Sequence, residues 1–331
     1  MNRLHYSAAA LSILFAACGE AETISGPTAA SILLDRCSQS ASLTPSYRVR
    51  QGQQLQGLTG SASVVQGARF GCQSVSGLAV SAGSLVGIAG GQPRAGTSFA
   101  GAALSIIDDQ GVRGEVAVTK VESDPLDPSG ETELYTLMAI SPHTGAASNL
   151  CIPDSEGRAV AIPLRGSWDK TGATHADGSL SFYCTSGAVA KCVRWGYRPW
   201  SSRNGESLAG YHQACTRMAR ADYCGSGESK TEEGTQIDLY DRLGINSPSQ
   251  SLSLLFEAAW TPQGAYCLSR ERWLSLANIL TGSCKAQFEL LPQPNPMNAA
   301  ELCLVHRIGA APSEVLLSDR AGINLNLNLN L

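Results

Sequence analysis

Eleven cysteines are spread over a chain of 331 residues, and how they are used limits what the chain can fold into. The N-terminus reads as an export signal: a short basic start, Met1-Asn2-Arg3, then an apolar run from Ala8 to Ala17, then Cys18. That run is too short to hold a bilayer as a stable anchor. In "LFAAC" the residues Phe15, Ala16 and Ala17 precede Cys18 as in a bacterial lipobox, with Phe15 where leucine is most frequent. Cys18 would then become the lipidated first residue; the alternative is an ordinary signal peptide cut near Ala17 or Ala21. Parity favours lipidation, because taking Cys18 from the eleven leaves ten, and ten can all pair. Cys37, Cys72, Cys151, Cys184, Cys192, Cys215, Cys224, Cys267, Cys284 and Cys303 include no CxxC knuckle. In an exported chain they read as five disulfides formed in an oxidising compartment.

The remaining body is long enough to bury a real core, so the bridges supplement a core rather than replace one. A formal charge of -4 offers no basic surface for nucleic acid. Charged residues are 16% of the chain and glycines number 34, which favours turn-rich β structure over long helices. The expected organisation is a lipoprotein signal peptide over 1–17, a lipid-anchored tether over 18–45, a β-rich region over 46–150, a mixed region over 151–309 and a low-complexity tail over 310–331. Short runs such as "SLVGIAGG", "GEVAVTKVES" and "ELYTLMAIS", separated by turn signals, predict an antiparallel sandwich- or barrel-like unit. The fold class is therefore α+β and β-rich, with a disulfide-stapled mixed region after the β unit.

In that mixed region a short helix is expected from near Gly187. A longer one is expected over Ser207 to Asp222, where Leu208, Tyr211, Cys215 and Met218 recur every three or four residues and Arg217 and Arg220 lie off the stripe. Gly225 and Gly227 should end it. "TQIDLYDRLG" and "LSLLFEAAW" read as strands and "SRERWLSLANIL" as a further helix. The closing "INLNLNLNL" alternates strictly and reads as an unpacked tail.

A nucleophilic serine needs a G-x-S-x-G turn, and "GTSFA" over Gly96 to Ala100 lacks its last glycine. Asp124, Asp127, Glu131 and Glu133 crowd a proline-containing loop, but not at EF-hand spacing, and a solvated hairpin loop accounts for them. His212 and Cys215, three apart on one helix, could face a metal with Cys224 nearby; oxidised thiols argue against it. Asp222, Asp238 or His212 would be the acid-base groups of a rival reading, an envelope hydrolase acting on peptidoglycan or polysaccharide. "RWGYRPW" concentrates Trp195, Tyr197 and Trp200 with two arginines, a composition suited to stacking on a sugar or peptide, and these three are the candidate ligand contacts. No cofactor or metal is expected.

The stretch "HQACTRMARADYCG" holds two cysteines nine residues apart. Along a continued helix that separation is about 13 Å, too far for a disulfide. Cys215 and Cys224 should therefore bond elsewhere, with Cys184 and Cys192 the nearest candidates and Cys192 on the short helix.

"FYCTSGAVAKCVRWGYRPW", "HQACTRMARADYCG", "KTEEGTQIDLYDRLGI" and "FEAAWTPQGAYCL", in this order, resemble the ADYC-domain family of bacterial exported proteins, as does the upstream "NLCIPDSEGRAVAIPLRGSWD". The tetrad is Ala221-Asp222-Tyr223-Cys224 here. The resemblance implies an exported protein, often a lipoprotein, and carries over no catalytic residue. The expectation is an outer-membrane lipoprotein, held to the membrane by lipid on Cys18, with a binding or structural role and an envelope glycan or protein as its ligand.

Overall fold

The computed structural model describes residues 64–107, 113–140, 146–169, 171–231, 235–249, 254–269, 271–272, 289–290 and 315–321. The first strands are β1 (Val64–Phe70), β2 (Gln73–Ser74), β3 (Ser76–Ser81), β4 (Ser84–Ala89) and β5 (Gln92–Ala95). A 3-10 turn over Gly96–Phe99 occupies the "GTSFA" stretch. Then come β6 (Ala103–Ile107), β7 (Arg113–Ser123), β8 (Glu133–Ile140), β9 (Ala147–Asn149), β10 (Ala161–Trp168) and β11 (Thr174–Cys184).

β10, β11, β1, β6, β7 and β8 pair antiparallel in that order, and β8 pairs back to β10 through Tyr135 and Ala161. The sheet thus closes on itself as a barrel, which removes exposed strand edges. Side chains alternate across a strand, so Leu104 and Ile106, Val116 and Val118, Tyr135 and Leu137, and Leu180 and Phe182 share one apolar interior. β3, β4 and β5 form a separate sheet whose Leu85 enters the same core. Because β10 and β11 belong to the barrel, the line expected at residue 150 runs through one sheet.

α1 (Ala188–Arg194) packs Val189, Ala190 and Val193 on the other face of β10 and β11, against Ile162, Leu164, Trp168 and Tyr183. A two-rung hairpin, β12 (Ser202–Arg203) and β13 (Glu206–Ser207), leads into α2 (Ala209–Arg220). The last strands are β14 (Ile237–Asp241), β15 (Leu254–Thr261), β16 (Gly264–Leu268), β17 (Glu289–Leu290) and β18 (Leu316–Ala321), arranged β14-β18-β15-β16-β17. Residues 316–321, expected to lie in a low-complexity tail, are thus the strand between β14 and β15, with Leu316 and Ser318 fully buried. The expected helix at "SRERWLSLANIL" and the Asn-Leu repeat lie outside the described residues, apart from Ser269, Glu271 and Arg272.

α2 lies between the barrel and this second sheet. Tyr211, Cys215 and Met218 face a core shared with Trp260 and Leu316, each such side chain contributing about 1.5–3 kcal/mol on full burial. On the barrel side Gln213 accepts a hydrogen bond from Trp168 Nε1 at 3.1 Å and donates to the Gly172 carbonyl at 2.7 Å. The apolar stripe is as expected, but the polar face is buried too. Arg217 and Arg220 are 4% and 2% exposed, because a second layer covers the side that an isolated amphipathic helix would give to water.

Disulfides staple the barrel and tie the two helices together. Cys192 of α1 bonds Cys215 of α2 with a Cα separation of 5.8 Å, and Cys151 bonds Cys184 at 5.5 Å. Cys215 therefore does not bond Cys224. Cys72, Cys224 and Cys267 are also disulfide-bonded, so every described cysteine is oxidised. Cys18, Cys37, Cys284 and Cys303 lie outside the described residues.

Candidate functional site

The Ala-Asp-Tyr-Cys tetrad begins where α2 stops. The stop falls at Arg220, earlier than the glycines that were expected to end the helix, because Ala221 takes the left-handed conformation at φ 52° and its amide donates to the Arg217 and Met218 carbonyls. Asp222 gathers the turn that follows. Its Oδ1 accepts the Ser226 amide at 3.0 Å and its Oδ2 the Gly227 amide at 3.0 Å. Arg217 Nη1 pairs with Oδ2 at 2.6 Å. A carboxylate with three donors in a buried site is satisfied in full and holds the chain reversal in place.

Tyr223 turns the other way, into the core. Its ring stacks on Trp260 with centroids 5.0 Å apart, and its hydroxyl donates to Glu257 Oε1 at 2.7 Å while accepting the Arg272 amide at 2.6 Å. Glu257, fully buried on β15, is paired with Arg272 Nη2 at 3.0 Å and accepts the Ser318 hydroxyl at 3.0 Å. Ser318 in turn accepts Trp260 Nε1 at 2.8 Å. Arg272 also donates to the Met218 carbonyl at 2.9 Å, in the last turn of α2. Burial first, then the Glu257 charge, pushes the Tyr223 phenol well above its ordinary range. This network was missed from the sequence; its one signal was a glutamate inside the apolar run "LLFEAAW".

The acid-base candidates do not converge. His212 is buried, its Nε2 lies 2.9 Å from the Val189 carbonyl, and its ring meets Trp168 edge-on. Burial lowers its pKa to about 4, against the opposing effect of that hydrogen bond. Asp222 is engaged as described, and Asp238 accepts the Ser249 amide on β14. No hydrogen bond or ion pair joins these three among the described residues. Cys215, in a disulfide, cannot ligate a metal beside His212, and no group of three metal-ligating side chains occurs among the described residues.

Two other stretches singled out from the sequence bind each other. Arg194, at the end of α1, pairs with Asp124 at 2.9 Å, Asp154 at 3.2 Å and Glu156 at 2.9 Å. Arg198 pairs with Asp127 at 2.6 Å, and Trp200 Nε1 donates to Glu131 at 3.0 Å. Burial raises the Asp127 carboxyl, but hydrogen bonds from Ser129 and Thr132 and the Arg198 charge outweigh it and leave the pKa lowered. Glu133, last of the four acids, accepts the Ser84 and Tyr135 hydroxyls. Asp124 and Asp127 are thus buried against protein cations and donors, while Glu131 and the rest of the loop tip are exposed.

Tyr197, expected to touch a ligand, is fully buried. Its hydroxyl donates to Asp241 at 2.7 Å and its ring stacks on Tyr211 with centroids 6.5 Å apart. Asp241 also accepts the Leu243, Ile245 and Asn246 amides, so "YDRLGIN" is a turn folded around one carboxylate. The reason for the difference is the second sheet, which covers this side of the segment. Trp195 and Trp200 are half-buried.

These elements define a class first: a disulfide-bonded, β-rich body in which a closed barrel and a second sheet enclose two short helices. Within it, the ADYC domain family model matches residues 96–274, more than half of the 331 residues, and the protein belongs to that family. No curated protein and no solved structure matches the chain. The match takes in β6 to β16, while β1 and β18, which fill places between matched strands in the two sheets, lie on either side of it.

Proposed function

We propose that the protein is an exported, lipid-anchored envelope protein whose disulfide-bonded body has a binding or structural role rather than an enzymatic one. The observation that carries this reading is the oxidation of every described cysteine, a state that persists in secreted and periplasmic proteins and is rare in a reducing cytosol. Lipid on Cys18 at the outer membrane is the attachment, argued from the run before it and from Gly19 after it, where aspartate favours inner-membrane retention in many Gram-negative bacteria. Support for a non-enzymatic role comes from the named acid-base candidates, each held in contacts that shape a turn or fill a core. Trp195 and Trp200, the half-buried pair, are where an envelope glycan or protein would stack.

The test is metabolic labelling with a fatty-acid probe followed by membrane fractionation. Wild-type protein should carry label and sediment with outer membrane, and Cys18→Ser should lose both. Equal labelling of the two, or an unlabelled cytoplasmic wild type, would refute the proposal.

A further inference from the structure

Two carboxylates, one on β14 and one on β18, stand outside the tetrad and Arg194 networks described above. β14 and β18 run antiparallel with Asp238 directly opposite Asp319. Residues so placed have Cβ atoms about 4.5–5.5 Å apart, and like charges there oppose the pairing. Tyr240, two residues along β14 and on the same face, donates its hydroxyl to Asp319 at 2.9 Å. Asp238 accepts the Ser249 amide at 2.5 Å. On the other side of β18, Asp319 is opposite the buried, uncharged Phe256 of β15. The next charge on β15 is Glu257, held by Arg272. Behind the sheet, Arg217 of α2 is paired with Asp222 and Arg220 donates to the Gly227 carbonyl. Among the described residues no cation pairs with Asp238 or Asp319.

β18 is not a passive strand. It supplies the pairing partners of both β14 and β15, and its Ser318 bridges Glu257 and Trp260. Anything that unseats it opens the second sheet down the middle. We propose that β18 is an acid-favoured latch: while Asp319, opposite Asp238, holds a proton, the strand is locked between β14 and β15, and loss of that proton loosens it. Burial, then the charges of Asp238 and Glu257, raise the Asp319 carboxyl above its ordinary range despite the Tyr240 hydrogen bond. A carboxyl raised by folding is stabilising below its unfolded pKa, and that contribution is lost as pH rises through the folded value.

Hydrogen exchange of the full-length protein, followed by mass spectrometry from about pH 4 to about pH 7 and corrected for intrinsic rates, reads the latch directly. Peptides covering 315–321 should open more as pH rises, relative to the β7–β8 hairpin, by about tenfold for each pH unit separating the folded and unfolded carboxyl. Asp238→Asn keeps an acceptor for Ser249 and removes one of the charges that raise Asp319, so the pH-dependent gap between β18 and β7–β8 should shrink. Asp319→Asn keeps an acceptor for Tyr240 and should behave alike, which covers the case where one variant misfolds. Both variants retain His212, so its titration drops out of the comparison. A wild type in which β18 follows β7–β8 at every pH would overturn the latch, as would a pH-dependent difference undiminished in the variants.

Discussion

Replacing Tyr223 by phenylalanine isolates one hydroxyl at the centre of the network that gives the tetrad its place. The ring remains, so its stack on Trp260 at 5.0 Å is retained. What goes is the donation to Glu257 at 2.7 Å and the acceptance of the Arg272 amide at 2.6 Å. A hydrogen bond to a charged group contributes about 1.5–3 kcal/mol, and a buried amide left without an acceptor costs about 1–3 kcal/mol. Since the two losses share one site and need not add in full, Tyr223→Phe should destabilise by about 3–5 kcal/mol. At roughly 2–4 °C per kcal/mol for a domain of this size, the melting temperature should fall by about 10 °C. Urea unfolding followed by both tryptophan fluorescence and far-ultraviolet circular dichroism measures this, with coincident curves required before a free energy is read from them. Tyr223→Leu, which also removes the stack, should cost more. A loss below about 1 kcal/mol for Tyr223→Phe would refute the reasoning, because a buried hydroxyl with two such partners cannot be that cheap to remove.

Arg194→Met leaves Asp124 and Asp154, 1% and 2% exposed, without their shared cation; the denaturant midpoint should record a loss of about 3–5 kcal/mol, and adding Asp124→Asn should recover part of it. His212 is neutral in the folded protein to about pH 4, whereas an unfolded histidine protonates near 6.5. Between those values only the unfolded chain takes the proton, so stability should fall by about 3 kcal/mol as pH drops through that window and level off below it; an unchanged slope in His212→Gln would disprove the assignment. Gly225 has φ 64°, and a Cβ there would run into the Gln263 carbonyl. Gly225→Ala should therefore strain the turn after the tetrad and sharply reduce the yield of soluble, correctly oxidised protein, measured by non-reducing electrophoresis of the exported fraction.

What could be read from the chain alone was local. The glycine-punctuated runs marked β4, β7 and β8, because alternation and turn residues act over a few positions. Periodicity placed α2, and the nine-residue separation of Cys215 and Cys224 along a continued helix gave the right outcome, although the helix stops at Arg220. The order of the blocks around Ala221 to Cys224 pointed to the family. Tertiary structure decided what depends on the partner across a gap in sequence. Arg217 reads as a surface arginine until the barrel covers it, and Tyr197 as a contact residue until Asp241 and Tyr211 close over it. "RWGYRPW" read as a ligand surface and the acidic loop from Asp124 to Glu133 as a solvated hairpin, and the fold brought them together as partners 70 residues apart at Arg194 and Asp124. Residues 316–321 carried too little pattern to stand out from the repeat that follows, yet they complete a sheet. The physical reason is common to all four. Backbone preference is settled within a turn or a strand, whereas the burial of a charge, an aromatic ring or a strand edge depends on which surface arrives to cover it.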